Sequence, residues 1–175
     1  MPLKLTLLLG AAAIVALAGA GHAQRYGHAP AAGSDPTGFS QSPNDSNAIR
    51  LQEGREAIGS KNFRGAVFAL SDVLRHNPTH PEANLLMGVA RMSQDEWAEA
   101  RKHLEVAVKK SPKEPDPKSR LAVTLIKLGD IPAAMKQRDD LVRLGEACKS
   151  RCRNAEWIAA GLAMIDATLP PAPAP

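Results

Sequence analysis

Small, bulky and aliphatic residues recur through the middle of this 175-residue chain at a fixed step of 34. Ala66, Ala100 and Ala134 mark the step. Phe63, Trp97 and Ile131 stand three residues before them, Gly54, Gly88 and Ala122 twelve before, and Val73, Ala107 and Leu141 seven after. Pro78 and Pro112 share a further phase, which Glu146 holds in the third copy. A unit this short cannot bury its apolar stripe alone, so successive units must stack side by side. Each copy reads as two helices joined by a tight turn near Lys61-Asn62, Asp95-Glu96 and Gly129-Asp130. The small residues on both helices predict a close approach within each pair, with Phe63, Trp97 and Ile131 plugging the space between pairs. Pro78 and Pro112 fall where the second helix should stop, because proline cannot continue it. Composition agrees: 44% of the residues are apolar but only 3% are aromatic. A core built from Leu, Val, Ile, Met and Ala favours packed helices over an aromatic-rich sandwich.

This order of small, large, small, aliphatic and proline, in three copies without insertion, resembles the tetratricopeptide repeat. The resemblance runs over residues 47–148 and implies an all-α fold, an α-α superhelix of three helical hairpins at 47–80, 81–114 and 115–148. The copies depart from the family pattern at Arg50 and Glu53, where large apolar residues are usual. They depart again at Arg138, which replaces the leucine seen at Leu70 and Leu104. All three lie in outer copies, where one face is expected to meet water.

Beyond the third copy, Gly145 suits a helix C-terminus, and a C-terminal capping helix is expected from about Asn154, as N-cap, to Thr168. Ile158, Leu162, Ile165 and Leu169 form its apolar stripe, with Trp157 adding bulk beside them. Residues 149–169 thus form a turn and cap that cover the last apolar face, and the alternating Pro and Ala of 170–175 form an extended tail.

The first 23 residues read as an address. Lys4 precedes an apolar run from Leu5 to Ala20, and Gly21-His22-Ala23 offers small residues at the positions a signal peptidase reads. That run is shorter than the roughly 20 residues needed to cross a bilayer core. Cleavage after Ala23 would leave an exported protein without membrane insertion, and a bacterial periplasm is the expected location. Residues 24–46, rich in Gly, Pro, Ser, Asn and Asp, are expected to form a disordered linker. Export also decides how Cys148 and Cys152 are read: in an oxidising compartment, a disulfide that staples the turn before the cap. A thioredoxin-like centre wants two intervening residues where three stand, haem attachment wants a histidine where Arg153 stands, and zinc wants two more ligands.

No catalytic signature is present. There is no Gly-x-Ser-x-Gly elbow, no glycine-rich phosphate loop and no metalloprotease motif. His76 and His80 have a metal-binding spacing, but Pro78 between them makes the segment a loop. His103 is expected alone on the exposed side of its helix, and Asp139 and Asp140 on a solvated face. The net charge of +4 is too mild to claim a nucleic acid. We therefore expect neither an enzyme nor a cofactor or metal.

The resemblance implies a binding surface instead, because the first helix of each repeat lines the concave side in this family. By phase that side presents Leu51, Arg55 and Ile58 from the first copy, Leu85, Leu86, Val89 and Met92 from the second, and Arg120, Val123 and Lys127 from the third. An apolar floor flanked by Arg55, Arg120 and Lys127 would suit a protein or peptide partner with acidic groups, though several of these aliphatic residues could equally be core. The carboxylate clamp of chaperone-binding members is not inherited: the corresponding phases hold Leu51, Arg55, Leu86, Asp116 and Arg120, and only the last matches. The expected function is an adaptor in the cell envelope. A homo-oligomeric structural role and a thiol-based redox role for the cysteine pair are the alternatives.

Overall fold

The computed structural model describes residues 43–148 and 152–171. The leader at 1–23 and nearly all of the linker lie outside the described residues. Within the described residues the chain forms seven helices and no strand. They are α1 (Pro43–Gly59), α2 (Phe63–His76), α3 (Pro81–Met92), α4 (Trp97–Lys110), α5 (Pro115–Lys127), α6 (Ile131–Cys148) and α7 (Ala155–Thr168). Helix α1 starts at Pro43, so the last four residues assigned to the linker are helical.

The helices pair as α1/α2, α3/α4 and α5/α6, and the turns that pair them repeat to the atom. Asn62 N–H donates to the Ala57 carbonyl, Glu96 N–H to Arg91 and Asp130 N–H to Leu125, at 2.8, 2.9 and 2.9 Å. One residue in each turn has a left-handed backbone: Lys61 (φ 59°), Asp95 (φ 58°) and Gly129 (φ 79°). Only the third copy places a glycine where that conformation is free of strain. The following helix is capped by Asn62 Oδ1, which accepts from Gly65 N–H, or by Asp130 Oδ1, which accepts from Ala133 N–H. Between hairpins, His80 Nδ1 accepts from Ala83 N–H and Pro81 occupies the first turn of α3, where a missing N–H costs nothing.

The repeated residues occupy equivalent places. Ala66, Ala100 and Ala134 are all fully buried, and Val73, Ala107 and Leu141 lie beneath them in the core. A Cβ at Gly54 would stand 2.6 Å from Leu70 Cδ2, and one at Gly88 2.6 Å from Leu104 Cγ. The glycines therefore set how closely α1 meets α2 and α3 meets α4. The third hairpin has Ala122 and Arg138 at these places, and Arg138 turns toward α7, where Asp166 accepts from its Nε at 2.7 Å and from a terminal nitrogen at 3.2 Å. The polarity of Arg138 thus serves a contact with the cap and is not an end left to water.

Helix α7 packs on α5 and α6. Ile158 and Ile165 are buried, with Leu162, Met164 and Leu169 against the same core. A Cβ at Gly161 would lie 3.0 Å from that of Ser119, so this glycine lets α7 sit tightly on α5. Three expectations at this end are corrected. Gly145 does not end a helix: α6 continues to Cys148, and Gly145 lies under α7, where a Cβ would touch Ile158. Asn154 precedes α7, but its side chain makes no cap hydrogen bond. Trp157 does not add to the packed stripe: it is 62% exposed, because one step along a helix turns a side chain by 100° away from Ile158.

Candidate functional site

Curvature defines the candidate surface. The backbones of α1 and α3 touch, as do those of α3 and α5, whereas α2 does not touch α4 and α4 does not touch α6. Neighbouring hairpins are closer on the side of their first helices, so the array curves with α1, α3 and α5 on its inner side.

The structure divides the expected groove residues into three groups. Leu51 and Val123 are buried core and are not open to a partner. Ile58, Leu85, Leu86 and Met92 are half-buried against the two core clusters. Val89 is half-buried and belongs to neither cluster. Leu85, Leu86, Val89 and Met92 all lie on α3, so the accessible apolar ground is concentrated on the central helix.

The expected basic flank is largely neutralised from within. Arg55 Nε donates to Glu82 Oε1 at 2.5 Å and a terminal nitrogen donates to Oε2 at 2.7 Å, a two-pronged pair linking α1 to the first turn of α3. Those bonds hold the Glu82 carboxyl below its ordinary range. One repeat later Val89 stands where Arg55 stood, and Asp116, the counterpart of Glu82, pairs with Arg120 of its own helix at 2.8 Å. Lys127 lies 6.0 Å from the centroid of the Trp97 ring. Arg55 and Arg120 are thus each paired with an acid of this chain. Sequence phase could place the arginines but not foresee their partners.

A polar group that the sequence reading missed lies beside this face. Asn84 is 2% exposed, and its side-chain nitrogen donates to the Pro78 and His80 carbonyls at 3.0 and 2.9 Å. Its Oδ1 therefore faces His103 as an acceptor, 3.0 Å from Nδ1, which must carry the proton. His103 is accordingly half-buried and bonded, not alone on an exposed side. Burial pushes its pKa below the ordinary value, and nearby Arg91 adds to the effect. The signal in the sequence was polarity at one repeat phase, where Arg50, Asn84 and Lys118 stand in successive copies.

His76 and His80 both line a cavity of about 580 Å³ between α1 and the end of α2. Each ring is already engaged. His76 Nδ1 faces the Asp72 carbonyl at 2.9 Å and so donates, whereas His80 Nδ1 accepts from Ala83 N–H. The neutral His80 ring then carries its proton on Nε2 and offers no second lone pair. Among the described residues no group of three or more His, Cys, Asp and Glu side chains is gathered to hold a metal. Nor is any of those helices long and apolar enough to cross a membrane. At the far end the sulfurs of Cys148 and Cys152 are within bonding distance, with Cα atoms 5.2 Å apart, a spacing a disulfide accommodates.

Stacked helical hairpins with inner first helices, a fixed 34-residue step and small-residue contacts within each pair define a class: the α-solenoids built from helix–turn–helix repeats. A family model of the tetratricopeptide repeat matches residues 57–115 and 91–145, which together span just over half of the sequence. The chain belongs to the tetratricopeptide repeat family. No curated protein matches the sequence. Among solved structures, the TPR2B domain of yeast Sti1, in a complex with pHsp70, superposes with a TM-score of 0.58 at 17% identity, covering 70% of this chain and 97% of that one. The type III secretion translocator chaperone SycD of Yersinia enterocolitica gives 0.59 at 16% identity, covering 71% and 92%. The Sgt2 TPR domain from Aspergillus fumigatus gives 0.57 at 20% identity, covering 78% and 92%. At these identities the likeness is one of fold.

Proposed function

We propose that the protein is a non-catalytic adaptor that holds a segment of another polypeptide on the inner face of its helical array. The observation that carries this reading is the row Leu85, Val89 and Met92, half-buried on one line of α3, a helix on the inner side. Arg55 and Arg120 nearby are already paired with acids. Such a floor suits apolar anchors at helical or extended spacing better than a carboxylate-rich tail. Support of a coarser kind comes from the family and from neighbours that are a chaperone and a domain solved with a bound partner.

The setting is a second part of the proposal. The leader pattern of residues 1–23 fits export, and an oxidising compartment would keep Cys148 and Cys152 joined. Photo-crosslinking tests the adaptor reading. A photoreactive residue at position 89, on the inner face, should yield specific adducts in a cell extract. The same residue at Phe68, 69% exposed on α2, should not. Adducts from position 68 alone would refute the inner-face reading.

A further inference from the structure

Between α1 and α3 the carboxylate of Glu82 is met by a cation from the neighbouring first helix, the guanidinium of Arg55, in two prongs at 2.5 and 2.7 Å. One repeat later Asp116 holds the phase of Glu82, but Val89 holds that of Arg55 and brings no charge. Asp116 is met only on Oδ1, by Nε of Arg120 from its own helix at 2.8 Å. Among the described residues, its Oδ2 and the carboxylate of Glu114, just before α5, have no hydrogen-bond or ion-pair partner.

Glu114 and Asp116 line a cavity of about 220 Å³ between the starts of α5 and α7, with Pro115, Asn154 and Trp157. Trp157 is largely exposed, and the Asn154 side chain caps nothing. Helix α7 carries Glu156 and Asp166 but no lysine or arginine. Lys113, Lys118 and Arg153, the other basic residues nearby in sequence, do not line the cavity. Two carboxylates against the one guanidinium of Arg120 leave a single negative charge beside an open indole. Two contacts elsewhere in the molecule show what such groups hold. Glu82 holds a guanidinium. Trp97, the other tryptophan, has the Lys127 ammonium 6.0 Å from its ring centroid, and the quadrupole of an indole draws a cation to its face.

We infer that the cavity between α5 and α7 receives one basic side chain, arginine before lysine, from the bound polypeptide. A planar guanidinium has donors for both carboxylates and a face for the indole, whereas an ammonium offers little beyond its charge. One residual negative charge matches one monovalent cation. By the repeat, Val89 stands toward Asp116 as Arg55 stands toward Glu82, so the cavity continues the row Leu85, Val89 and Met92. The inference rests on the adaptor reading and deepens it: the bound segment carries apolar anchors for α3 and a basic residue for the gap beyond.

The test selects a phage library of random dodecapeptides on the full chain. Recovered peptides should be enriched in arginine alongside Leu, Ile or Met. Selection on Glu114→Gln or on Trp157→Leu should lower the arginine enrichment and keep the apolar residues. Both side chains are exposed, so far-UV circular dichroism and the melting temperature should not change. A recovered peptide without tryptophan is then titrated into the Trp97→Phe protein, which keeps Trp157 as its only tryptophan. Trp157 emission should change and saturate, and a twin peptide with citrulline for arginine should bind about tenfold or more weaker. Apolar peptides without basic enrichment, or a citrulline twin that binds equally well, overturn the inference and leave the adaptor reading standing. Arginine peptides that ignore both Glu114→Gln and Trp157→Leu also overturn it, since the cation then sits elsewhere. Arginine peptides that respond to those changes but ignore Val89→Glu uphold the cavity and remove α3 from the binding surface. A library that yields no binder overturns both.

Discussion

The closeness of α3 and α4 rests on the absence of one carbon atom. A Cβ at Gly88 would sit 2.6 Å from Leu104 Cγ and 2.7 Å from Cδ2, roughly 1 Å inside ordinary carbon contact. Leu104 is fully buried, and close-packed interiors have few voids for a displaced side chain. Overpacking of this kind costs about 1–3 kcal/mol, whereas alanine gains up to about 1 kcal/mol over glycine within a helix. Gly88→Ala should therefore lose up to about 2 kcal/mol of stability net. Gly59, in the last turn of α1, has nothing within 4 Å of its Cβ position, so Gly59→Ala should instead hold or raise stability. Leu104→Ala alone should cost about 2–5 kcal/mol by leaving a cavity. Combined with Gly88→Ala it should cost less than the two single losses added, since the new methyl group enters the space vacated by the leucine. Urea unfolding followed by circular dichroism measures all four variants. A Gly88→Ala protein at least as stable as wild type, or strict additivity in the double variant, would refute the close approach.

Other outcomes follow from single sites. His103 titrates lower in the folded protein than in the unfolded chain, so the unfolded chain takes up the proton first. Its contribution is complete above about pH 6.5 and is lost as pH falls toward the lower folded pKa. The urea midpoint should therefore drop between pH 7.5 and 5.5, and His103→Gln should flatten that drop. Asn84→Ala should cost about 2–3 kcal/mol in the same unfolding assay, because it strips hydrogen bonds from two carbonyls and from His103. Lys61→Gly should raise stability by about 0.5–1 kcal/mol through relief of its left-handed backbone, while Ser60→Gly should not. Replacing both cysteines by serine should lower stability by about 2 kcal/mol if the pair is joined. Hydrogen exchange should then quicken in α7 before the other helices.

Local chemistry made the hairpins legible. The 34-residue step, the turns at Lys61, Asp95 and Gly129, and the small residues at Gly54, Gly88, Ala66, Ala100 and Ala134 all follow from contacts between residues near in sequence. Such contacts leave a pattern that a single chain displays openly. Tertiary structure decided matters between units. Arg55 meets Glu82 and Arg138 meets Asp166 across 27 and 28 residues, and a repeat phase names a side chain without naming what stands opposite it. Leu51 and Val123 share a register with groove residues, yet the packing of neighbouring helices buries them. Gly145 looked like a helix end because glycine ends helices, but here it makes room for α7. Likewise, the spacing of Ile158, Leu162 and Ile165 already marked the buried stripe of α7, but only the position of α5 and α6 left Trp157 outside it. Burial depends on which surfaces are brought together, and a repeat fixes that within each unit but not at its ends.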